Sequence, residues 1–520
     1  MSITPVPAPP LPASALGGRR LLAAWPAVAL FLLSLVMPWH AGDNTDVSWL
    51  IVVCEKIFGG ERLYVDILET NPPFSIALYI GPVWLANQFG IAAELAVQTF
   101  VYLVFLASLV LTMAVIRRGG LLADIPSSWL YGAIAFLMLI LPGNVVGQRE
   151  HIGTMLFMPM LAMMMWRAQA CRPVPLGLAV TVGSAASVLL LVKPHWALGI
   201  ALPYLVICWR RRTPLAVLTP ENFVIGIACV AYLAVCRLWF SVYFENFLPL
   251  LMRYYVSLRV HLNLLIVLPL FCGFVTFVAS QARRSSWRVD VLVALASAAG
   301  FFLATIYLGK YWDNHQYPYL VCLSVALLLA LAERRRHAQA VGPDRAAGLR
   351  LHGWATVLVL AALAASLQRY RHPEPELAEA ISSRYDRPRI VQVSSDLSIG
   401  HPLTRMVNGE WMPAYAHDWL GAHALWGVLK GSYAVEDRAA ATKVVRDYTA
   451  ELNALIRDGR PDIILVDASP QARLWEKEDF RPPLWVAWML ENAEYRDLME
   501  DYEEIAAGSF MKVYARRASR

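Results

Sequence analysis

Charged residues are scarce in this sequence. Asp, Glu, Lys and Arg make up 16% of its 520 residues, whereas 58% are hydrophobic and the mean hydropathy is +0.48. Soluble domains carry about 25% charged residues, so the composition excludes an ordinary water-soluble protein. Within the apolar part of the chain, basic residues fall in short clusters between apolar blocks. Such clusters set membrane orientation, and the net charge of +6 does not indicate nucleic-acid binding.

Cysteine is also sparse, and its spacing shows no pairing pattern. Cys54 is the one cysteine in a segment that we place outside the membrane, and residues 368–520 contain none. The others lie in or beside apolar blocks or in an arginine-flanked loop: Cys171, Cys208, Cys229, Cys236, Cys272 and Cys322. We therefore expect neither a disulfide framework nor a cysteine-based zinc site. No small-residue cleavage site follows the first apolar run, so we interpret that run as a signal anchor.

Long apolar blocks are what the chain has in excess, and most have lengths that suit a hydrocarbon core about 30 Å thick. They predict a polytopic α-helical membrane protein with about eleven spans. The predicted spans are 21–39, 93–116, 127–142, 152–166, 175–192, 195–208, 219–239, 263–280, 290–308, 316–332 and 351–367. One further apolar stretch, 72–90, is excluded from this set by the charges of the loops.

The loops divide the basic residues unequally. With eleven spans, 17 arginines fall on one face, against seven or eight basic residues in the short loops of the other. The 17 are Arg19, Arg20, Arg117, Arg118, Arg167, Arg172, Arg210, Arg211, Arg212, Arg283, Arg284, Arg288, Arg334, Arg335, Arg336, Arg345 and Arg350. The positive-inside rule makes that face cytoplasmic. A crossing at 72–90 would reverse every later cluster, so we predict a helix along the outer interface there.

The first outer loop contains a second short apolar segment, 46–59, which predicts another surface helix. An ordinary loop with a hydrophobic edge is the alternative. The expected layout is a cytoplasmic tail (1–20), a transmembrane domain (21–367) with its first outer loop at 40–92, and a small extracytoplasmic α/β domain (368–520).

In the last domain, residues 389–395 and 462–467 have the apolar pattern of buried strands. Residues 510–517 predict an edge strand, and 436–457 and 484–506 predict helices. His401, Asp418 and His423 are separate polar residues, which we expect on the surface or facing an acceptor.

Polar residues close to a membrane are costly unless they are paired or hydrated, so they are candidates for function. Nearly all of them fall on the predicted outer face: Asp43, Asp46, Asp66, Glu69, Gln148, Arg149, Glu150, His151, Lys193, His195, Glu245, Lys310, Asp313, Asn314 and His315. Such a set predicts one cavity, in which carboxylates act as a base or position hydroxyls and cations hold a phosphate. The alternative is that these residues form structural ion pairs or cap the ends of spans.

The first outer loop resembles that of the GT-C glycosyltransferases, and among them the protein O-mannosyltransferases and the lipid A aminoarabinose transferases. The similar residues form a D-x-x-W pair, a G-x-x-x-Y-x-D element, a Pro-Pro pair, an Arg-Glu pair and a His-x-x-Pro element. They are Asp46, Trp49, Gly60, Tyr64, Asp66, Pro72, Pro73, Arg149, Glu150, His315 and Pro318.

The resemblance implies transfer of a sugar from a polyprenyl-phosphate donor to an acceptor hydroxyl. An acidic residue of the first outer loop would be the base; Asp46 matches best, with Asp43 as its rival and helix capping as the structural alternative. Many relatives have Lys or His where this chain has Asn71, so the phosphate would be bound by cationic residues elsewhere: Arg149, Lys310, His151 and His315. The other cavity candidates are Asp66, Glu69, Asn71, Glu150 and Lys193.

The resemblance implies no firm cofactor beyond the lipid-linked sugar as co-substrate. Some GT-C enzymes use a divalent ion, and Asp46, Asp66, Glu69 and Glu150 are the candidate ligands, although no fixed ligand spacing supports a metal site. The acceptor would be an envelope glycolipid, polysaccharide or protein, with membrane lipids around the chain and no nucleic acid. The expected location is the bacterial inner membrane, with the active site and the C-terminal domain in the periplasm.

Two other functions remain open from the sequence. A transporter or flippase for lipid-linked saccharides would need charges near the midplane and two related halves, and neither is visible. A non-catalytic envelope assembly or sensor protein, whose outer domain binds a partner, is the second alternative.

Overall fold

The protein folds into a bundle of apolar helices with a small sheet-containing unit at its C-terminus. The computed structural model describes residues 13–36, 44–123, 125–169, 172–256, 261–281, 289–341, 346–366, 374–431, 435–469 and 482–517. The predicted rival base, Asp43, lies outside the described residues. The expectation of a mostly helical chain with a small C-terminal sheet is confirmed.

Each predicted span coincides with a helix in the described part of the chain. These helices are α1 (Ala13–Val36), α4 (Ala93–Gly119), α5 (Ser127–Ala135, continued by a π turn over Phe136–Ile140), α6 (Arg149–Gln169), α7 (Leu176–Val192), α8 (Leu198–Arg211), α9 (Pro220–Trp239), α11 (His261–Gln281), α12 (Val289–Leu308), α13 (Asp313–Val341) and α14 (Ala346–Ser366).

Five of the described helical segments are long and apolar enough to cross a bilayer: Ala93–Gly119, Pro220–Trp239, Leu264–Gln281, Val289–Leu308 and Asp313–Arg335. Four shorter apolar segments accompany them: Trp25–Val36, Ser127–Ile140, Leu176–Val192 and Ala355–Ala365. The chain is therefore a multi-pass membrane protein. The number of eleven crossings stays a prediction.

Small residues allow the central helices to approach closely. Gly300 of α12 lies against the backbone of α8, where an added Cβ would overlap the carbonyl oxygen of Leu198. Gly183 of α7 meets α9 in the same way, with the carbonyl oxygen of Glu221 at 2.6 Å from the ideal Cβ position. Glycine at such contacts is typical of membrane bundles, which hold together largely by close packing.

Two helices of the first outer loop do not belong to the set of spans. The helix α2 (Thr45–Phe58) has 14 residues and buries Val47–Cys54, and α3 (Pro73–Phe89) has 17 residues and begins at a proline pair. At 1.5 Å per residue, α3 is about 25 Å long, which is short of the hydrocarbon core. The structure thus contains both predicted loop helices, whereas the position of α3 along the interface stays a prediction.

The outer loop between α9 and α11 is irregular in its described part. Two π turns, Tyr243–Phe247 and Leu251–Val256, flank the single-turn helix α10 (Leu248–Leu250). Their aromatic side chains pack against Tyr64 of the first outer loop, with ring centroids 4.6 Å apart for Tyr243 and 6.0 Å for Phe247. This contact joins two distant loops at the same end of the bundle.

The C-terminal unit is a five-stranded mixed sheet with the order β2-β1-β3-β5-β4. Its strands are β1 (Arg389–Val393), β2 (Glu410–Trp411), β3 (Ile463–Asp467), β4 (Tyr502–Ala507) and β5 (Met511–Arg516). Its helices are α15 (Pro375–Ser382), α16 (Leu397–Gly400), α17 (Leu403–Met406), α18 (Trp419–Lys430), α19 (Val435–Gly459), α20 (Pro482–Glu491) and α21 (Ala493–Met499). The pairs β1/β2 and β1/β3 are parallel, and β5 pairs antiparallel with β3 and β4.

Two predictions for this unit are wrong. The segment 510–517 is not an edge strand, because β5 lies between β3 and β4. The predicted helix 484–506 is broken at Asn492, whose side chain caps α21, and the remainder of the segment forms the edge strand β4. The sequence signal failed because the pairing with β5, a tertiary contact, decides the conformation of residues 502–506.

The C-terminal unit is attached to the first outer loop. Arg405 forms ion pairs with Glu94 of α4 and with Glu55 of α2, the latter at 2.6 Å. The ring of His401 lies between Trp49 of α2, at 5.4 Å, and Trp411 of β2, at 4.6 Å. The unit therefore covers the end of the bundle that carries α2, which we call the outer end. The opposite end, where α4, α6 and α8 finish in Arg117, Arg118, Arg167, Arg210 and Arg211, we call the arginine end.

Candidate functional site

Asp46 lies in the first turn of α2, but it does not cap that helix. The N-cap is Asn44, whose side-chain oxygen accepts hydrogen bonds from the backbone NH groups of Asp46, at 2.9 Å, and Val47, at 3.3 Å. The side-chain amide of Gln148 donates to the same oxygen at 3.1 Å. The capping alternative for Asp46 is thus wrong, and its carboxylate is directed elsewhere.

That carboxylate faces an ion-pair network at the outer ends of α6 and α7. Arg149 Nη1 lies 3.7 Å from Asp46 Oδ1, and Arg149 Nε lies 3.3 Å from Glu150 Oε1. Lys193 Nζ lies 2.7 Å from the same Glu150 oxygen. Glu150 is fully buried and Arg149 nearly so, whereas one third of the Asp46 side chain is exposed. Asp46 is thus the member of the network that is open to a reactant.

The surroundings of Asp46 shift its acidity. Burial raises the pKa of Asp46 above its ordinary value, the charge of Arg149 opposes this, and the nearby Glu150 and Glu69 add to it. The dipole of α2 acts in the opposite direction, because Asp46 lies in its first turn and the dipole favours the ionised form. The raised pKa makes the carboxylate a stronger proton acceptor than a solvated aspartate, while the charge of Arg149 supports its ionised form.

Glu69 and Asn71 shape the loop beside this network. The indole NH of Trp49 and the side-chain amide of Asn71 both donate to the Glu69 carboxylate, and the backbone NH of Asn71 donates to it at 2.8 Å. The Tyr64 hydroxyl donates to the carbonyl oxygen of Asn71 at 2.5 Å. Both side chains are therefore engaged with the protein, which gives them a positioning role.

Lys310 is a buried cation held by aromatic rings. Its ammonium lies 3.0 Å from the ring centroid of Tyr255 and 4.8 Å from that of Trp312. In the part of the chain that the structure describes, Lys310 has no carboxylate partner. Burial, and secondarily the charge of Lys193, holds the pKa of Lys310 well below its usual range. An anion bound beside Lys310 would compensate both the burial of its charge and the repulsion from Lys193.

Tyr255 connects Lys310 with the ion-pair network. The charges of Asp46 and Arg149 both act on the Tyr255 hydroxyl. Above Tyr255, the C-terminal unit contributes His423, whose ring stacks at 5.7 Å, and Trp419, whose ring lies at 5.4 Å. The five residues Asp46, Arg149, Glu150, Lys193 and Lys310 are therefore brought together at the outer end, beneath the C-terminal unit.

Two predicted site residues do not join this group. His151 is buried with both ring nitrogens engaged by the backbone, since Nδ1 accepts from the NH of Gly147 at 3.1 Å and Nε2 lies 2.5 Å from the carbonyl oxygen of Met138. That geometry argues against phosphate binding by His151. Asp66 pairs with Arg62 on the surface at 3.0 Å, which leaves it outside this group.

His315 is placed close to the group. Its ring lies 5.4 Å from that of Trp312, and its buried Nδ1 has no hydrogen-bond partner in the described structure. Lys193, Lys310 and Arg149 are the cations that act on it electrostatically. This position is compatible with the predicted contact to a donor phosphate.

Some residues of the site were missed or misplaced by the sequence. Tyr255 and Trp312 were not predicted. The sequence shows only that they are aromatic residues in the same outer loops as the cationic residues. The expectation that His401, Asp418 and His423 lie on the surface or face an acceptor is wrong in its first part, because all three are buried, and its second part stays a prediction. Asp418 is held by the Ser394 NH, the Tyr448 hydroxyl and the Trp485 indole, and burial raises its pKa to about 7.

The carboxylates present do not fit a resident divalent ion. The described residues contain no group of three or more His, Cys, Asp or Glu side chains arranged to hold a metal. Asp46 and Glu150 face cations, and Glu69 accepts hydrogen bonds from Trp49 and Asn71. We therefore assign no step to a metal.

Comparisons with known proteins support the fold. No protein-family model and no curated protein matches this sequence. Among solved structures, the chain is similar to apo ArnT from Cupriavidus metallidurans, with 15% sequence identity and a TM-score of 0.50. The match covers 95% of this chain and 98% of that one. The resemblance to GT-C glycosyltransferases is thus confirmed at the level of the fold.

Proposed function

We propose that this protein is a membrane glycosyltransferase of the GT-C type, which moves a sugar from a polyprenyl-phosphate donor to an envelope acceptor. The observation that carries the proposal is one group of charged residues brought together at the outer end. It combines a partly exposed carboxylate, Asp46, with a cation that has no carboxylate partner in the described chain, Lys310. Fold similarity to ArnT, a lipid A aminoarabinose transferase, points the same way.

Asp46 would act as the general base. Its carboxylate takes the proton of an acceptor hydroxyl as the hydroxyl oxygen forms a bond to the anomeric carbon of the sugar. The bond from that carbon to the phosphate oxygen breaks, and the electron pair leaves with the phosphate. A positioned base of this kind contributes about 10²- to 10⁴-fold to the rate.

Lys310 and Arg149 would stabilise the departing phosphate. Among Asp46, Arg149, Glu150 and Lys193, two carboxylates already balance two cations, so the charge of Lys310 remains for the donor. A fixed cation at a developing negative charge lowers the barrier, because it needs no reorganisation during the reaction. Lys193 would hold Glu150 and thereby the position of Arg149.

The C-terminal unit would cover this group of residues and contact the acceptor. Its residues Trp419 and His423 lie on Tyr255, directly above Lys310. The distribution of arginines favours a cytoplasmic arginine end, and the outer end would then be periplasmic. A transporter fits less well, since the buried charges of the site lie at one end of the helices rather than near their middle.

The test compares envelope glycolipids and polysaccharides by mass spectrometry. The samples come from cells that lack the gene and are complemented with either the wild-type chain or Asp46→Asn. We expect one glycan to lose the mass of one sugar in the deletion strain and to regain it with the wild type alone. Identical glycans in all three strains would contradict the proposal.

A further inference from the structure

A second cavity lies at the arginine end of the bundle, remote from the site above. It is bounded by the last turns of α6 and α8 and by the described residues 172–174 that precede α7, and its volume is about 200 Å³. The lining residues are Trp166, Arg167, Arg172, Pro173, Val174 and Arg211. Three arginines therefore line one small space.

One of the three charges is already neutralised. Arg167 donates two hydrogen bonds to Glu221, from Nε at 2.9 Å and from Nη2 at 2.8 Å, and Glu221 is fully buried. The Tyr204 hydroxyl donates to the same carboxylate at 3.2 Å. This arrangement fixes Arg167 as one wall of the cavity without adding net charge.

The other two charges are not neutralised by the described part of the chain. Arg172 donates to the carbonyl oxygen of Arg118 at 3.5 Å, and its own carbonyl oxygen accepts from the Trp166 indole at 3.1 Å, which positions the loop. Arg211 ends α8. Neither residue has a carboxylate partner among the described residues. The carbonyl groups at the ends of α6 and α8 supply only partial negative charge, so the cavity keeps a net positive charge.

We propose that this cavity binds the phosphate of an anionic phospholipid headgroup. Two arginines without carboxylates can each donate paired hydrogen bonds to phosphate oxygens. Large apolar side chains beside Arg211 in the sequence, Trp209 and Leu215, are exposed, and exposed Trp at the end of a spanning helix lies at headgroup level. A lipid can place its phosphate in the cavity and its chains against such residues, which a free phosphate cannot do.

The test uses the full-length protein in detergent and follows its thermal unfolding midpoint as short-chain phosphatidylglycerol is added. Short-chain phosphatidylcholine and inorganic phosphate are added separately at the same concentrations. We expect a saturable rise of the midpoint with phosphatidylglycerol alone. A rise of the same size with inorganic phosphate would overturn the lipid assignment, and no saturable rise would overturn the site.

A pair of double variants locates the binding. Arg172→Gln/Arg211→Gln should raise the half-saturating lipid concentration roughly tenfold, since two charge-assisted contacts are lost. Arg117→Gln/Arg118→Gln removes the same charge from the same end outside the cavity and should behave as the wild type. Equal weakening in both would mean nonspecific attraction. If the first double variant does not fold, exposed Arg211→Gln alone should weaken binding, and an unchanged half-saturation there would contradict the site.

Discussion

The two ends of the helical bundle carry charge in different ways. At the outer end, carboxylates and cations pair inside the protein, as in the contacts of Glu150 with Arg149 and Lys193. At the arginine end, cations dominate and many are exposed, and Glu221, Asp290 and Glu333 are buried exceptions. Burying an ion pair costs desolvation free energy, so a buried network indicates that a specific geometry is needed. Exposed arginines cost little free energy and are sufficient to set the membrane orientation. The comparison therefore favours the outer end for the proposed chemistry.

The largest expected effect concerns the orientation itself. An alkaline phosphatase fused after Arg520 should be active, because the enzyme folds only outside the cytoplasm, and a fusion near Arg336 should be inactive. Activity is measured in whole cells, with the amount of each fusion protein as the control. The reverse pattern would exchange the two ends and remove the argument for a periplasmic site.

The next effect separates Asp46 from the other acidic residues of its loop. Asp46→Asn should reduce transfer by about 10²- to 10⁴-fold while the fold is kept, because Asn44 caps α2. Initial rates with purified protein and lipid-linked donor measure the change. Asp66→Asn is the matched control, since its pair with Arg62 is exposed, contributes little to stability and lies outside the group around Asp46. Retained activity in Asp46→Asn would refute the base assignment.

The sequence predicted the bundle well because the signal for each span is local. The composition of an apolar block is enough to indicate that the block is buried, and every predicted span coincides with a helix. The strand β4 was missed because its partner β5 decides its conformation. The residues of β4 alone do not indicate that this segment pairs with β5.

The site was predictable in part for a related reason. Asp46, Arg149, Glu150, Lys193 and Lys310 stood out because charges beside apolar spans are rare. His151 stood out equally, although backbone groups occupy both of its ring nitrogens. The sequence contains no sign of those contacts. Aromatic residues such as Tyr255 and Trp312 are common at membrane interfaces, so their role around Lys310 needed the fold.

A third test measures the stability of the outer network. Glu150→Gln leaves Arg149 and Lys193 buried without their shared carboxylate, and losing one partner of a buried pair costs about 3–5 kcal/mol. The midpoint of thermal unfolding should fall clearly. Glu503→Gln breaks the exposed pair with Arg384 and should lower stability by less than about 1 kcal/mol. Similar midpoints for the two variants would mean that the network is solvated and not specific.

The smallest and most specific effect is a pH dependence at Lys310. Its pKa lies well below the usual lysine range because of burial, with a smaller contribution from Lys193. Only the protonated ammonium attracts the donor phosphate. As the pH rises through this lowered pKa, the charge is lost and the KM for the donor should increase, whereas below it the KM should be constant.

Replacement by arginine separates this effect from other titrations. A guanidinium stays protonated over the accessible range, so in Lys310→Arg the alkaline increase of the donor KM should disappear. The kcat of both proteins should still fall at acid pH, where Asp46 takes up a proton, because its raised pKa is unaffected by the change. Any titration of Lys193 is also common to both proteins. If the donor KM rises equally at alkaline pH in the two proteins, another cation binds the donor phosphate. Lys310 would then have no role that distinguishes it from the paired charges around Asp46.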